Sequence, residues 1–228
     1  MAAGLGCRMR PLTEKIPKPL VTVGGIPLIE TMIQSLLKRG VKRIFVVVGY
    51  KKEMFVYLTE KYKGLTLVEN REYKEKNNIS SLYAVLDRIG DQNCFICEAD
   101  IYVRNPSVFQ QEFASSCYFG KMVPGYSDDW IFETSGGQIT GIKRGGTNSY
   151  HMTGAAYLLR QDLQVLKREI QSIYPLPETG KLFWDEVMDR LLYRIKISVH
   201  EIAVNDLIEI DTLDELDKIR REVIGVKR

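Results

Sequence analysis

Arg43-Ile44-Phe45-Val46-Val47-Val48-Gly49 is the stretch on which the fold turns. It is an unbroken apolar run closed by glycine, without the alternation of a strand that keeps one wet face. It therefore reads as a strand covered on both sides in a parallel sheet. Just before it, Leu28, Ile29, Met32, Ile33, Leu36 and Leu37 recur at helical spacing over residues 28–37, and Gly40 ends that helix. After it come a helical pattern at 51–62, a short strand at 65–69, a helix at 79–89 and a second buried strand at 94–98. This alternation is that of helices covering both faces of a parallel sheet.

Beyond Asp100 the rhythm changes. Residues 117–124, 130–134, 138–144 and 153–159 read as successive strands, with Ser135-Gly136-Gly137 as a tight turn between two of them. Helices follow at 161–173 and 183–193, then a strand at 196–204. A last helix at 212–223 carries Leu213, Leu216, Ile219 and Val223 on one face. The expected architecture is α/β: a Rossmann-like, mostly parallel sheet flanked by helices, with a β-rich insertion in the second half. No repeat, low-complexity stretch or long linker divides the chain. Residues 1–228 are expected to form one domain, with 1–115 as one half and 116–228, including the last helix, as the other.

Composition bounds the function. The 228 residues are 45% hydrophobic and 27% charged, which excludes collagen-like, disordered and disulfide-framework chains. A net charge of +3 is too small for bulk attraction to nucleic acid or membrane surfaces. No apolar run approaches the ~18 residues of a membrane helix, and the start lacks a signal-peptide core, so a cytoplasmic protein is expected. Cys94 and Cys97 make a C-x-x-C pair inside an apolar run, with no second pair to complete a zinc site. They read as structural, as do His151 and His200, which show no triad or metal spacing.

The surplus charge has an address. Residues 1–20 hold Arg8, Arg10, Lys15 and Lys18 against Glu14, so this segment alone accounts for the chain's +3. The bases are interleaved with glycines in Ala2-Ala3-Gly4-Leu5-Gly6-Cys7-Arg8-Met9-Arg10-Pro11-Leu12-Thr13. Glycines let backbone N–H groups approach an anion, and the bases supply charge-assisted bonds to phosphate oxygens. The pattern is neither a Walker loop, which needs G-x-x-x-x-G-K-[ST], nor a Rossmann fingerprint, since Met9 stands where the third glycine belongs.

This stretch, with Lys18-Pro19-Leu20 downstream, resembles the signature of the nucleotidyltransferase superfamily that activates sugar phosphates and alcohol phosphates. That signature is A-A-G-x-G-[ST]-R-[LM]-x-P-x-T followed by [PK]-K-x-[LM]. The resemblance implies the glycosyltransferase-A-like form of the α/β fold. It also implies that Ala3, Gly4, Gly6 and Arg8 bind a nucleoside triphosphate while Lys18 neutralises charge near the reacting phosphate. Two departures stand out. Cys7 replaces the usual Ser or Thr and removes a hydroxyl contact. The loop normally follows a buried strand, and here the chain begins at that strand's last position, which predicts weaker support for the loop.

Nucleotidyl transfer generally needs Mg²⁺ held by carboxylates together with the substrate phosphates. Asp100 ends a buried strand, where α/β sheets place their chemistry, and the superfamily carries a metal-ligating Asp there. Glu209-Ile210-Asp211 offers two carboxylates on one side of an extended segment and matches the superfamily's C-terminal metal carboxylate. Thr212-Leu213-Asp214-Glu215 is also a capping box, so Asp211 or Thr212 equally suits the start of the last helix.

Over nearly the whole chain the resemblance is closest to the bacterial CTP:phosphocholine cytidylyltransferases. It runs through Lys76-Asn77-Asn78-Ile79-Ser80-Ser81-Leu82-Tyr83, Asp129-Trp130, Phe183-Trp184-Asp185 and Ile208-Glu209-Ile210-Asp211. It implies a Mg²⁺-dependent attack of phosphocholine on the α-phosphorus of CTP, giving CDP-choline and pyrophosphate. Asp100, Asp211 and Glu209 would hold the metal, with Lys18, Arg8 and Asp100 as the catalytic groups. Asn77, Asn78 and Ser80 would join the nucleotide site. Choline is a cation without N–H donors, so aromatic faces backed by a carboxylate suit it. Trp130, Trp184, Asp185 and Tyr83, with Tyr150, are the candidates. The same residues have plainer readings, Trp184 as core with Met188 and Leu192, and the asparagines as helix caps. A primary amine would rely more on Asp185, so 2-aminoethylphosphonate or a sugar 1-phosphate is the alternative acceptor. A non-catalytic nucleotide-binding module is the other alternative. The expected partners are CTP and a small phospho-acceptor, with the chain acting as a monomer or homodimer.

Overall fold

The computed structural model describes residues 1–226. Its first elements are β1 (Thr22–Val23), β2 (Ile26–Pro27), α1 (Leu28–Lys38), β3 (Ile44–Val48), α2 (Tyr57–Lys61), β4 (Leu65–Glu69), α3 (Ile79–Val85) and β5 (Cys94–Cys97). They are followed by β6 (Ile101–Val103), β7 (Cys117–Ser135), β8 (Gln138–Leu158), α4 (Arg160–Ile173), α5 (Trp184–Leu191), β9 (Ser198–Glu201), β10 (Leu207–Glu209) and α6 (Leu213–Val226). The α/β class is as expected. Two compact units share the chain by interleaving. The first takes Met1–Lys74, Glu98–Gln110 and the described residues from Asn205 on, and the second takes Glu75–Cys97 and Gln111–Val204. The last helix, placed by sequence order with the second half, thus lies in the first unit. Among the described residues no helix is long and apolar enough to cross a membrane.

In the first unit, β3 pairs with β4 in parallel, Ile44 opposite Leu65 through Val48 opposite Glu69. Val46 and Val48 pack with Ile29 and Ile33 of α1 and with Phe55, Leu58 and Tyr62. The start of the chain is tied to this sheet. Ala2 bridges Val48 in parallel, its N–H donating to Val47 O at 2.7 Å. Ala99 N–H donates to Met1 O at 3.2 Å and Tyr50 N–H to Ala3 O at 3.1 Å. These short pairings support the glycine-rich loop from the sheet side. The helical pattern at 51–62 forms as a 3-10 turn, Lys52–Phe55, entered through Lys51 at a left-handed φ of 48°, and then the short α2. Glu30 of α1, only 1% exposed, accepts bonds from Tyr57 Oη at 2.9 Å, Lys61 Nζ at 2.5 Å and the Tyr62 hydroxyl. Burial alone would raise its carboxyl; these donors more than reverse that and hold it below its usual range. Finally, β6 pairs with β10 antiparallel, Ile101 opposite Glu209.

In the second unit the sheet order is β5-β8-β7-β9. β8 is antiparallel to both β5 and β7, and only β7 and β9 run parallel. The sheet here is mixed rather than mostly parallel, because consecutive strands joined by a tight turn must run antiparallel. The four strands expected over 117–159 run together as β7 and β8, turning at Gly136 and Gly137 with φ of 56° and 77°. Register slips between Val123 and Tyr126 and between Ser127 and Trp130 bend the long strands, and Phe132 faces both Ile142 and Tyr150. These bends fall around the gap between the strands expected at 117–124 and 130–134. Trp184, Val187 and Met188 of α5 and Leu163, Leu166 and Ile170 of α4 are buried in the core.

Candidate active site

The glycine-rich loop is built from buried anchors and an open middle. Met9, the residue that spoils the dinucleotide fingerprint, is fully buried with Val21, Leu28, Ile210 and Leu216, and pins the 3-10 turn Cys7–Met9 to the first unit. Gly6 has φ of 63°, and a Cβ there would stand 3.1 Å from both Lys18 Cβ and Thr13 Cγ2. Only glycine meets both conditions without strain. Thr13 Oγ1 donates to Gly6 O at 2.8 Å, and Tyr50 Oη donates to Thr13 O at 2.9 Å, fixing the turn from behind. Gly4 is exposed, with open space where a Cβ would be, and Cys7 and Arg8 are exposed beside it, while Ala3 is buried.

Three carboxylates gather in the same unit. One oxygen from each of Asp100, Glu209 and Asp211 lies within 4.8 Å of the others. The β6–β10 pairing makes this possible, with Ile210 N–H donating to Asp100 O at 3.2 Å. The capping box forms as read. Thr212 N–H donates to Glu215 Oε2 at 2.8 Å, and Glu215 N–H returns to Thr212 Oγ1 at 3.3 Å. Asp211 N–H also donates to Glu215 Oε2 at 2.8 Å, so Thr212 and Glu215 do the capping and the Asp211 carboxylate is left to the site.

The bases meet these acids directly. Lys18 Nζ lies 2.6 Å from Asp100 Oδ2 and 2.5 Å from Asp211 Oδ1, and Arg8 Nη2 lies 2.7 Å from Asp211 Oδ1. Burial works against the Lys18 charge, but the adjacent Asp100 and Asp211 outweigh it and raise the ammonium above its usual value. Glu209 goes the other way for a carboxyl. The residue is exposed overall, yet its carboxyl is crowded by protein, and that desolvation, followed by the Asp100 and Asp211 charges, pushes it up to about 8.

The donor set fits a hard divalent cation. Its three carboxylate oxygens suit Mg²⁺ rather than a thiophilic metal. Asp100 Oδ1 is buried without a hydrogen-bond partner, the state of an oxygen that a cation would satisfy.

The other sequence candidates lie in the second unit and are largely held by structure. Trp184 is only 2% exposed and stacks on Tyr118, ring centroids 5.4 Å apart, so its plainer reading as core describes its place. Asp185 accepts from Tyr118 Oη at 3.0 Å. Trp130 is half-buried, with the Arg144 guanidinium 5.5 Å over its ring and Phe183 edge-on at 6.1 Å. Tyr83 stacks on Tyr174 at 3.7 Å, and Tyr150 Oη donates to Glu201 at 2.7 Å. Neither asparagine caps α3 through its side chain. The Asn77 amide donates to the Lys181 carbonyl, and Asn78 Oδ1 accepts from Trp184 N–H at 2.9 Å. Ser80 is buried, donating to Asn77 O at 2.7 Å. Cys94 is partly buried, and burial pushes its thiol up to about 11; His151 and His200 are likewise held below their usual range chiefly by burial. Thr13 stands in the loop signature and Glu215 in the capping box, whereas nothing in the sequence marks Tyr50 as the support behind the loop.

A phosphate-ready glycine loop, a lysine and an arginine set against three clustered carboxylates, all on an α/β scaffold, define a nucleotidyltransferase. Residues 1–171 match the model of the MobA-like NTP transferase domain. The chain belongs to this family, and the alternative of a non-catalytic module gives way to an enzyme. It is 45% identical to a 2-aminoethylphosphonate cytidylyltransferase of Lancefieldella rimae, over 95% of this chain and 88% of that one. It is 31% identical to a choline-phosphate cytidylyltransferase of Streptococcus pneumoniae, over 96% and 94% of the two chains. The solved structure of a CTP:phosphocholine cytidylyltransferase from S. pneumoniae superposes with a TM-score of 0.90 at 31% identity, covering 97% of this chain and 96% of that one.

Proposed function

We propose that the chain is a cytidylyltransferase that joins CMP from CTP to 2-aminoethylphosphonate and releases pyrophosphate. The observation that carries this reading is the 45% identity to the 2-aminoethylphosphonate enzyme across nearly the full chain, against 31% to the choline-phosphate enzyme. Both relatives are cytidylyltransferases by name, in keeping with CTP as the nucleotide here. The acceptor expectation moves from phosphocholine to the primary amine accordingly. Side-chain placement supports the change. Trp184 is buried against Tyr118, and the Trp130 ring already carries Arg144, so neither presents two clear faces to a quaternary ammonium. A primary ammonium instead asks for carboxylate acceptors, a role that falls to Asp185.

The reaction is a displacement at phosphorus. A phosphonate oxygen attacks the α-phosphorus of CTP, a P–O bond forms there, and the bond from the α-phosphorus to the bridging oxygen breaks with pyrophosphate leaving. The attacking oxygen is already anionic, so no general base is needed. The protein's task is to position the reactants and neutralise charge. Gly4 and Gly6 let the loop backbone close on the triphosphate, and Arg8 and Lys18 offer it charge-assisted donors. Asp100, Asp211 and Glu209 would hold a divalent cation, which supplies further charge neutralisation on the phosphate oxygens when bound. Ala3 seats the loop, while Asn77, Asn78 and Ser80 are held by bonds inside the second unit.

The S. pneumoniae match at a TM-score of 0.90 keeps phosphocholine as the second reading. Pyrophosphate release with CTP and each acceptor in turn separates the two. The expected result is a kcat/KM for 2-aminoethylphosphonate at least about tenfold above that for phosphocholine. The reverse order overturns the assignment.

A further inference from the structure

Lys18 occupies the ground a cation would need. Its ammonium bonds to Asp100 Oδ2 at 2.6 Å and Asp211 Oδ1 at 2.5 Å, two of the three carboxylates that fit a divalent ion, and its side chain is only 10% exposed. Arg8 adds a second positive charge to Asp211 at 2.7 Å. The Lys18 backbone is fixed: Pro19 and Leu20 beside it are buried, and Val21 N–H closes the turn onto Lys18 O at 3.1 Å. Only the side chain can be redirected.

We propose that Lys18 makes metal binding and triphosphate binding depend on each other, its ammonium standing in for the cation until a nucleotide draws it away. This rests on the reading of the site as a metal-dependent nucleotide site. An incoming divalent ion must share carboxylate oxygens with a shielded ammonium, and like charges a few ångströms apart repel strongly where water is scarce. A triphosphate gives Lys18 and Arg8 a second set of anionic oxygens. Once they turn to it, the carboxylate oxygens they occupied are open to ligate the metal. Each ligand thus removes an obstacle to the other, and linkage requires the gain to be reciprocal. Free metal ion is then a poor ligand of the resting protein, and the metal–nucleotide pair is the species bound.

Calorimetric titration of Mg²⁺ into the wild type, Lys18→Met and Lys18→Arg, first without nucleotide and then with a non-hydrolysable CTP analogue, tests this. Circular dichroism confirms that each variant is folded. The wild type should bind Mg²⁺ at least about tenfold more tightly with the analogue than without it. Lys18→Met should bind Mg²⁺ at least about tenfold more tightly than the wild type in the absence of nucleotide, while Lys18→Arg, which keeps the charge, should stay weak. Lys18→Met binding no tighter than wild type overturns the proposal, as does a wild-type affinity indifferent to the analogue once that analogue binds. If the analogue does not bind at all, the CTP reading falls separately, and the nucleotide-free comparison still decides the role of Lys18.

Discussion

Arg8 and Asp211 stand 203 positions apart in the chain, yet their side chains meet in an ion pair at 2.7 Å. The pair joins the glycine-rich loop to the acidic cluster contributed from the far end of the sequence. Its partners are unequal, since the Arg8 side chain is 70% exposed and that of Asp211 only 21%.

An exposed arginine in such a pair adds little to stability, roughly 0–1 kcal/mol, but can direct strong bonds to phosphate. Arg8→Ala should leave the melting temperature nearly unchanged and lower kcat/KM for CTP by roughly 10–100-fold, the usual worth of a hydrogen bond to a charged group. Steady-state kinetics beside thermal melts on the same preparation check it.

Asp100 bonds to Lys18 through one oxygen and leaves the other buried and unpartnered. Asp100→Asn keeps the shape and removes the charge. It should lower kcat by roughly 10²–10³-fold with a native far-UV spectrum, and saturating Mg²⁺ should not restore it. Near-full activity at saturating Mg²⁺ would refute the metal assignment of Asp100.

Glu209 predicts a direction for stability against pH. Desolvation and the neighbouring Asp100 and Asp211 raise its carboxyl from 4.5 to about 8 in the folded protein. Between those values the folded state holds a proton that the unfolded state has lost, so this group's contribution falls as pH rises from about 4.5 through 8. Glu209→Gln has nothing to ionise. In metal-free buffer its melting temperature should match the wild type near pH 4.5 and exceed it increasingly up to pH 8. A gap that closes with rising pH would contradict the placement of this carboxyl.

The two tryptophans should behave differently. Trp184→Ala removes a fully buried side chain stacked on Tyr118 and should cost about 3–5 kcal/mol in denaturant unfolding. Trp130 is half-buried with Arg144 over its ring, so Trp130→Ala should cost about 1 kcal/mol or less.

Much of this was legible in the chain itself. Val46–Val48 could only be a covered strand, and the observed β3 ends one residue inside the quoted run at either side. The loop glycines, Arg8, Lys18, Asp100, Glu209 and Asp211 were all identifiable, because close backbone approach and charge leave a residue-level mark. What could not be read was pairing at long range. Nothing local in Ile101–Val103 or Leu207–Glu209 announces that they bond to each other, and that antiparallel pair is what gathers the acids. The interleaving of two units and the fusion of four expected strands into β7 and β8 are also set by tertiary contacts. For Trp184 the core reading and the ligand reading used identical spacing, and only burial told them apart.

Cytidylyl transfer to a primary-amine phosphonate is directly measurable. The most direct measurement is a competition: the enzyme with CTP, Mg²⁺ and equimolar 2-aminoethylphosphonate and phosphocholine, products resolved by ³¹P NMR. The expected dominant product is a mixed phosphonate–phosphate anhydride, CMP joined to 2-aminoethylphosphonate, with one pyrophosphate per turnover. CDP-choline as the dominant product, or CTP left unconsumed with both acceptors present, would contradict it.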